Sequence, residues 1–176
     1  MPEIAVDRRA WVRGLLDRWD GPLVRYAQGL TGRVESARDV VQETFLRLCA
    51  QEPAKLQGRE VEWLFTVCRN LCVDEKRKEG RMTEVDQLEL DARESKEPPP
   101  GRAVETRDQT SRVLALVSGL PRREQELVRL KFQEGLSYRE IAKVTKLTES
   151  NVGYLLHTAL KTLRTRLQAP GLAAQA

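Results

Sequence analysis

Apolar residues recur at three- and four-residue steps through most of this chain, the period of helices with one buried face rather than the alternation of strands. Val40, Val41, Phe45, Leu46 and Leu48 form one such stripe, and Val61, Leu64, Phe65, Val67, Cys68, Leu71 and Cys72 form another. The pattern predicts a helical region over 7–30 that is broken near Gly21-Pro22, because proline lacks the amide a helix interior uses and suits the first turn of a new helix. A helix over 34–50, a loop over 51–58 containing Pro53 and Gly58, and a helix over 59–79 follow. The period then stops. Pro98, Pro99, Pro100 and Gly101 sit among many charges, the composition of a linker. Beyond it come a short helix over 110–118, a break at Gly119-Leu120-Pro121, and a helix over 121–133 that Gly135 closes.

Ser137-Tyr138-Arg139-Glu140 has the S-x-x-E spacing of a capping box, so a helix is expected to start there, with Ile141, Ala142 and Val144 on its apolar face. After a short turn, Thr148 is placed to cap another helix whose Val152, Leu155, Leu156, Ala159, Leu160, Leu163 and Leu167 keep the helical period. Two helices joined so tightly describe a helix-turn-helix. In that arrangement Glu149, Ser150 and Asn151 lead the second helix into a major groove, while Arg139, Lys143 and Lys146 meet phosphates. A plain helical hairpin with solvated polar residues has the same pattern. The fold class is all-α: two small helical domains over 1–78 and 111–168, joined by a linker over 79–110 and followed by a tail over 169–176.

Composition narrows the function. Of 176 residues, 40% are hydrophobic and 32% charged, which suits small amphipathic units. No run approaches the roughly 20 apolar residues of a membrane span, and residues 1–9 lack the apolar core of a signal peptide. The chain is therefore expected to stay in the cytoplasm, with no membrane insertion. Residues 1–78 carry 14 basic against 12 acidic side chains, 79–110 carry 5 against 9, and 111–176 carry 11 against 5. The linker is thus acidic and the C-terminal third basic, a balance that favours phosphate contacts. Cys49, Cys68 and Cys72 lack C-x-x-C pairing and read as three small buried hydrophobes rather than a metal site. His157 is the sole histidine, and there is no glycine-rich phosphate loop or nucleophile elbow. No cofactor, no metal and no enzymatic activity are expected.

Three stretches carry a family resemblance. The segment from Leu120-Pro121 to Leu167, with its L-S-Y-R-E-I-A run, resembles the promoter-binding C-terminal domain of extracytoplasmic-function (ECF) RNA polymerase sigma factors. The run 39–48, DVVQETFLRL, resembles the family's core-polymerase-binding helix, and the run 63–74, WLFTVCRNLCVD, its promoter-melting helix. The resemblance implies a subunit that directs bacterial core RNA polymerase to promoters and helps melt the minus-ten element. Asp39, Gln42, Glu43 and Arg47, which share a polar helix face, would dock on the clamp helices of the largest polymerase subunit. Leu130 and Phe132 would meet the flap of the second-largest subunit. Lys55 and Arg59 on the loop side, with Trp63, Arg69, Asn70, Lys76 and Arg77 on the helix, would hold an extruded minus-ten base. Phe65 reads as core, and Trp63 is open between core and pocket. Arg139, Lys143, Lys146, Glu149, Ser150, Asn151, Tyr154, Thr158 and Lys161 would meet the minus-thirty-five element. The resemblance also implies an anti-sigma factor that masks the polymerase-binding surfaces.

The chain departs from the family pattern at two places. Lys146 stands where the turn commonly has glycine. Gly153, Leu155 and Thr158 stand where lysine or arginine is frequent, which implies weaker and less salt-dependent DNA binding. Two other readings stay open from sequence: a DNA-binding regulator that acts alone, and an interaction protein that binds polymerase or an antagonist without reading DNA.

Overall fold

Residues 7–78, 80 and 107–168 are described in the computed structural model, and the elements they form are helices. They are α1 (Arg8–Thr31), α2 (Val34–Cys49), α3 (Pro53–Leu56), α4 (Glu60–Lys78), α5 (Arg107–Ser118), α6 (Arg122–Val128), α7 (Tyr138–Thr145) and α8 (Glu149–Gln168). A π-helical turn, Arg129–Gln133, continues α6. The described residues divide into two compact units, 7–80 with 139–147, and 107–138 with 148–168. Most of the expected linker and the whole tail over 169–176 lie outside the described residues.

In the first unit α1, α2 and α4 pack on one another around an apolar core. Asp7 accepts a hydrogen bond from the Arg9 amide and starts α1, while Gly32, at φ 77°, ends it in the left-handed region that glycine enters without a Cβ penalty. The expected break at Gly21-Pro22 is absent: α1 is one helix with Pro22 inside it. An internal proline costs about 3 kcal/mol. Continuing the same axis places Leu23, Tyr26 and Ala27, all buried, in the core immediately after it, and burying a large apolar side chain is worth about 1.5–3 kcal/mol. Phe65 is fully buried, with Trp19 and Tyr26 edge-on to its ring at centroid distances of 5.9 and 5.2 Å. The expected loop over 51–58 contains a helical turn, α3, because Pro53 occupies its first position, where no amide is needed, and Leu56 is buried.

Cys68 and Cys72 belong to the same core, but Cys49 is exposed, which corrects the reading of three buried cysteines. Position 49 is the last residue of α2, one step past the buried Leu48, so the helical rotation turns it outward. The hydrogen bond between Cys68 and Cys72, and then burial, push the Cys72 thiol well above its ordinary range, against the opposing pull of Lys76. Cys72 therefore holds its proton. A proton-bearing thiol is a poor nucleophile and a poor metal ligand.

In the second unit α5, α6 and α8 pack together around Val117, Leu120, Leu127, Leu156 and Ala159. Helix α5 begins at Arg107, three residues earlier than the period suggests. Pro121 precedes α6 as its cap residue rather than entering its first turn. The break between them is pinned by Gln125, whose Nε2 donates to the carbonyls of Ser118 and Leu120 at 3.0 and 2.7 Å.

Candidate polymerase- and promoter-binding surfaces

Helix α2 buries Val40, Val41, Thr44, Phe45 and Leu48, which leaves the opposite face for Asp39, Gln42, Glu43 and Arg47. Asp39, Gln42 and Arg47 are exposed and Glu43 half-buried. Arg47 Nε donates to Glu43 Oε1 at 2.8 Å, one turn apart. Leu46 does not join the buried stripe, as its spacing suggested; it is 59% exposed and sits between the Asp39–Gln42 and Glu43 positions on the polar face. It also rims a groove between α1 and α2 lined by Val12, Leu16, Val24 and Phe45. An apolar run read by period alone could not tell that Leu46 turns outward.

On α4 the buried stripe is Leu64, Phe65, Cys68 and Cys72. Directly opposite lie Arg59, Trp63, Asn70 and Arg77, at steps of four and seven residues. Arg59 and Arg77 are exposed, and Trp63 and Asn70 are half-buried. Arg59 accepts from the Trp63 amide through its carbonyl and so leads directly into α4, while its Nη2 donates to the Lys55 carbonyl at 2.9 Å. Lys55 itself pairs with Glu52 at 3.0 Å. Lys55 and Arg59, the two loop-side residues of the expected pocket, are therefore tied to each other through the Lys55 carbonyl. Arg69 and Lys76 are half-buried and stand on the flank of this face, beside Phe65.

Helices α7 and α8 follow one another in the chain, joined by the turn at 146–148. Helix α7 starts right after Ser137, where the capping spacing places it, and buries Ile141, Ala142, Val144 and Thr145. The turn residue Lys146 has φ 59°, the sole non-glycine residue with positive φ among the described residues. Such a conformation costs a residue with a Cβ on the order of 1 kcal/mol. Thr148 Oγ1 accepts from the Asn151 amide at 3.2 Å and caps α8 as its position suggests. Arg139, Lys143, Glu149, Ser150, Asn151, Tyr154 and Lys161 are all exposed, Tyr154 at 69%. Thr158 differs: it is half-buried, and its hydroxyl donates back to the Tyr154 carbonyl at 3.0 Å, so its proton is not offered to DNA.

Leu130 is corrected by the structure. It is fully buried, whereas Phe132 is 60% exposed. Two residues apart, they point to opposite sides of the helix; in the turn Arg129–Gln133 the Glu134 amide reaches the Arg129 carbonyl, the Leu136 amide reaches the Leu130 carbonyl, and Gly135, at φ 74°, lets the chain turn back. Lys131 Nζ lies 5.3 Å from the centre of the Tyr138 ring and donates to the Leu136 carbonyl. Among the described residues no group of three or more His, Cys, Asp or Glu is arranged to hold a metal ion, and no helix is long and apolar enough to cross a membrane.

Residues 15–82 match the family pattern of sigma-70 region 2, and residues 110–163 match sigma-70 region 4. The chain is 31% identical over 174 residues to the ECF RNA polymerase sigma factor SigL of Mycobacterium tuberculosis, covering 96% of this chain and 95% of that protein. This chain belongs to the ECF RNA polymerase sigma factors. It is also 33% identical over 152 residues to the ECF sigma factor BldN of Streptomyces coelicolor, covering 85% of this chain but 57% of BldN. The RNA polymerase sigma factor FliA of Salmonella typhimurium is 36% identical over 89 residues, about half of this chain and 37% of FliA. As a sigma factor the protein is a promoter-specific transcription initiation factor and not an enzyme, and its partners are core RNA polymerase and promoter DNA. The region 4 match runs unbroken through α7, so helices that pack in different units belong to one family element.

Proposed function

We propose that the α2 face of Asp39, Gln42, Glu43, Leu46 and Arg47 docks this sigma factor on the clamp helices of the largest polymerase subunit, and that the outer face of α4 opens the minus-ten element. The functional domains in this reading are 1–78 and 111–168. The observation that carries it is the arrangement of α4: Arg59, Trp63, Asn70 and Arg77 lie opposite the buried stripe, with Lys55 tied to Arg59. Extruding a base costs a few kcal/mol, which aromatic stacking, edge contacts and phosphate pairing offset. Trp63 supplies the ring, Asn70 the hydrogen-bonding edge, and Arg59, Arg69, Lys76 and Arg77 the charge. In the second domain, Arg139, Lys143 and Lys146 meet phosphates while Ser150, Asn151 and Tyr154 face the minus-thirty-five bases. The exposed Phe132 meets the flap. The site of action is the cytoplasm, with the polymerase, and an anti-sigma factor that covers the α2 face and its Leu46 groove completes the reading.

Run-off transcription with purified core polymerase and a pool of promoters from the source genome tests this. Discrete new transcripts are expected with the wild-type chain and none with Arg69→Ala/Asn70→Ala. Binding of core polymerase without any transcript contradicts the promoter-opening role.

A further inference from the structure

Arg8 lies ahead of residues 15–82, the stretch that matches region 2, and has no part in the polymerase and promoter contacts proposed above. It is the first residue of α1, and its guanidinium crosses to the chain just beyond α2. Its Nε and Nη2 both donate to the Gln51 carbonyl, at 3.1 and 2.6 Å. The Gln51 amide in turn donates to the Leu48 carbonyl at 2.9 Å, so Gln51 is held on one side by the end of α2 and on the other by α1. A cation at this place also meets the negative end of the α2 dipole.

Gln51 is the point from which the loop side of the expected minus-ten pocket departs. Glu52 is extended, at φ −95° and ψ 124°, and its carbonyl accepts from the Lys55 amide at 3.0 Å. The Arg59 amide donates to the Leu56 carbonyl at 2.7 Å, and the Arg59 side chain reaches the Lys55 carbonyl. These bonds fix the shape of the loop from within. Leu56 is buried and anchors it to the core, but apolar burial is non-directional and leaves a loop free to pivot. The Arg8 fork is directional: two donors on one rigid guanidinium plane set orientation as well as distance, which a single ammonium does not.

We propose that Arg8 is a positioning residue for minus-ten recognition, which holds the Gln51 carbonyl and thereby places Lys55 and Arg59 against the extruded base. The inference rests on the reading that this loop and α4 hold that base. Discrimination between bases comes from hydrogen-bonding groups that a wrong base leaves unpaired, and it needs those groups held in place. Loss of the fork therefore lowers selectivity for the base more than it lowers binding of the polymerase.

The test combines hydrogen exchange of the full chain with run-off transcription by core polymerase. The template is a promoter found in the source-genome pool, together with its single-base minus-ten variants. In Arg8→Ala the amides of 52–59 are expected to exchange several-fold faster, with those of α2 and α4 as in wild type. The transcript ratio between the most and least preferred base at the extruded position is expected to fall several-fold, with affinity for core polymerase unchanged. Arg8→Lys, with one donor group in place of the fork, recovers part of that ratio. Arg9→Ala, which removes a neighbouring exposed charge and leaves the fork, behaves as wild type. An Arg8→Ala chain that keeps the wild-type exchange over 52–59, or the wild-type base ratio, overturns the inference alone. An equal loss on every promoter variant, together with a lower urea midpoint, overturns it as well, because that is a role in stability. If Lys55→Ala/Arg59→Ala leaves the base ratio unchanged, the minus-ten reading of the loop falls and the inference with it.

Discussion

Helices α4 and α8 are built alike and equipped differently. Each is about five turns long, and each buries one apolar stripe and turns the other face outward. The outward face of α4 sets arginines around a tryptophan and an asparagine and is anchored on a core whose central ring, Phe65, is touched edge-on by two others. The outward face of α8 presents serine, tyrosine, histidine and one lysine over its first turns, and its entrance is held by a threonine cap and a strained lysine turn. Charge around an aromatic side chain suits holding an unpaired base, whereas a sparse polar face suits locating a site with modest affinity. In the proposed reading, the energetically demanding step belongs to α4.

The largest effect expected from this contrast is on Trp63. Trp63→Ala should lower open-complex formation by about 1–3 kcal/mol of lost base stacking, roughly five- to a hundred-and-fifty-fold, while Tyr154→Ala changes opening per bound complex little. Competition run-off assays measure both. Equal losses would erase the distinction between the two helices. Next in size is the cap: Thr148→Ala should cost about 1 kcal/mol of stability in urea unfolding and loosen α8, with no effect on α4. Lys146→Gly should relieve the left-handed strain, raising stability by up to about 1 kcal/mol, and at the same time weaken DNA binding by the loss of one phosphate contact. A variant that gains stability and keeps full affinity would show that Lys146 is only a turn residue.

The smallest effect lies beneath α8. Burial raises the Glu124 carboxyl, and the Arg166 charge opposes it. A raised acid pKa means that the folded state binds its proton more tightly than the unfolded one, so this group's stabilisation is present in acid and is lost as pH rises through the folded value. Between about pH 4.5 and pH 7 wild type should therefore lose ground to Glu124→Gln, by less than about 1 kcal/mol, in paired urea titrations.

How much of this was legible in the sequence depended on which physical signal each feature leaves there. Helical period placed α2, α4 and α8 within a residue or two, because a buried stripe must repeat at the helical step. The Thr148 cap and the left-handed Lys146 turn were legible as well, one from its side-chain oxygen and the other from a missing glycine. Pro22 misled because a local rule predicts a break, while the tertiary gain of Leu23, Tyr26 and Ala27 outweighs it. Leu46 and Leu130 misled in opposite directions: period alone does not say whether an apolar residue near a stripe edge turns in or out, and residues two apart on a helix, such as Leu130 and Phe132, point to opposite sides and cannot both reach one partner.

Permanganate reactivity of promoter thymines within complexes of core polymerase and this sigma factor tests the central claim most directly, since it reports unpaired bases separately from occupancy. Arg69→Ala/Asn70→Ala is predicted to leave complexes that bind but show no reactive thymines, while Tyr154→Ala/Lys161→Ala lowers occupancy and leaves reactivity per complex unchanged. Reactive thymines that persist in the first variant and vanish in the second would contradict the assignment of promoter opening to α4.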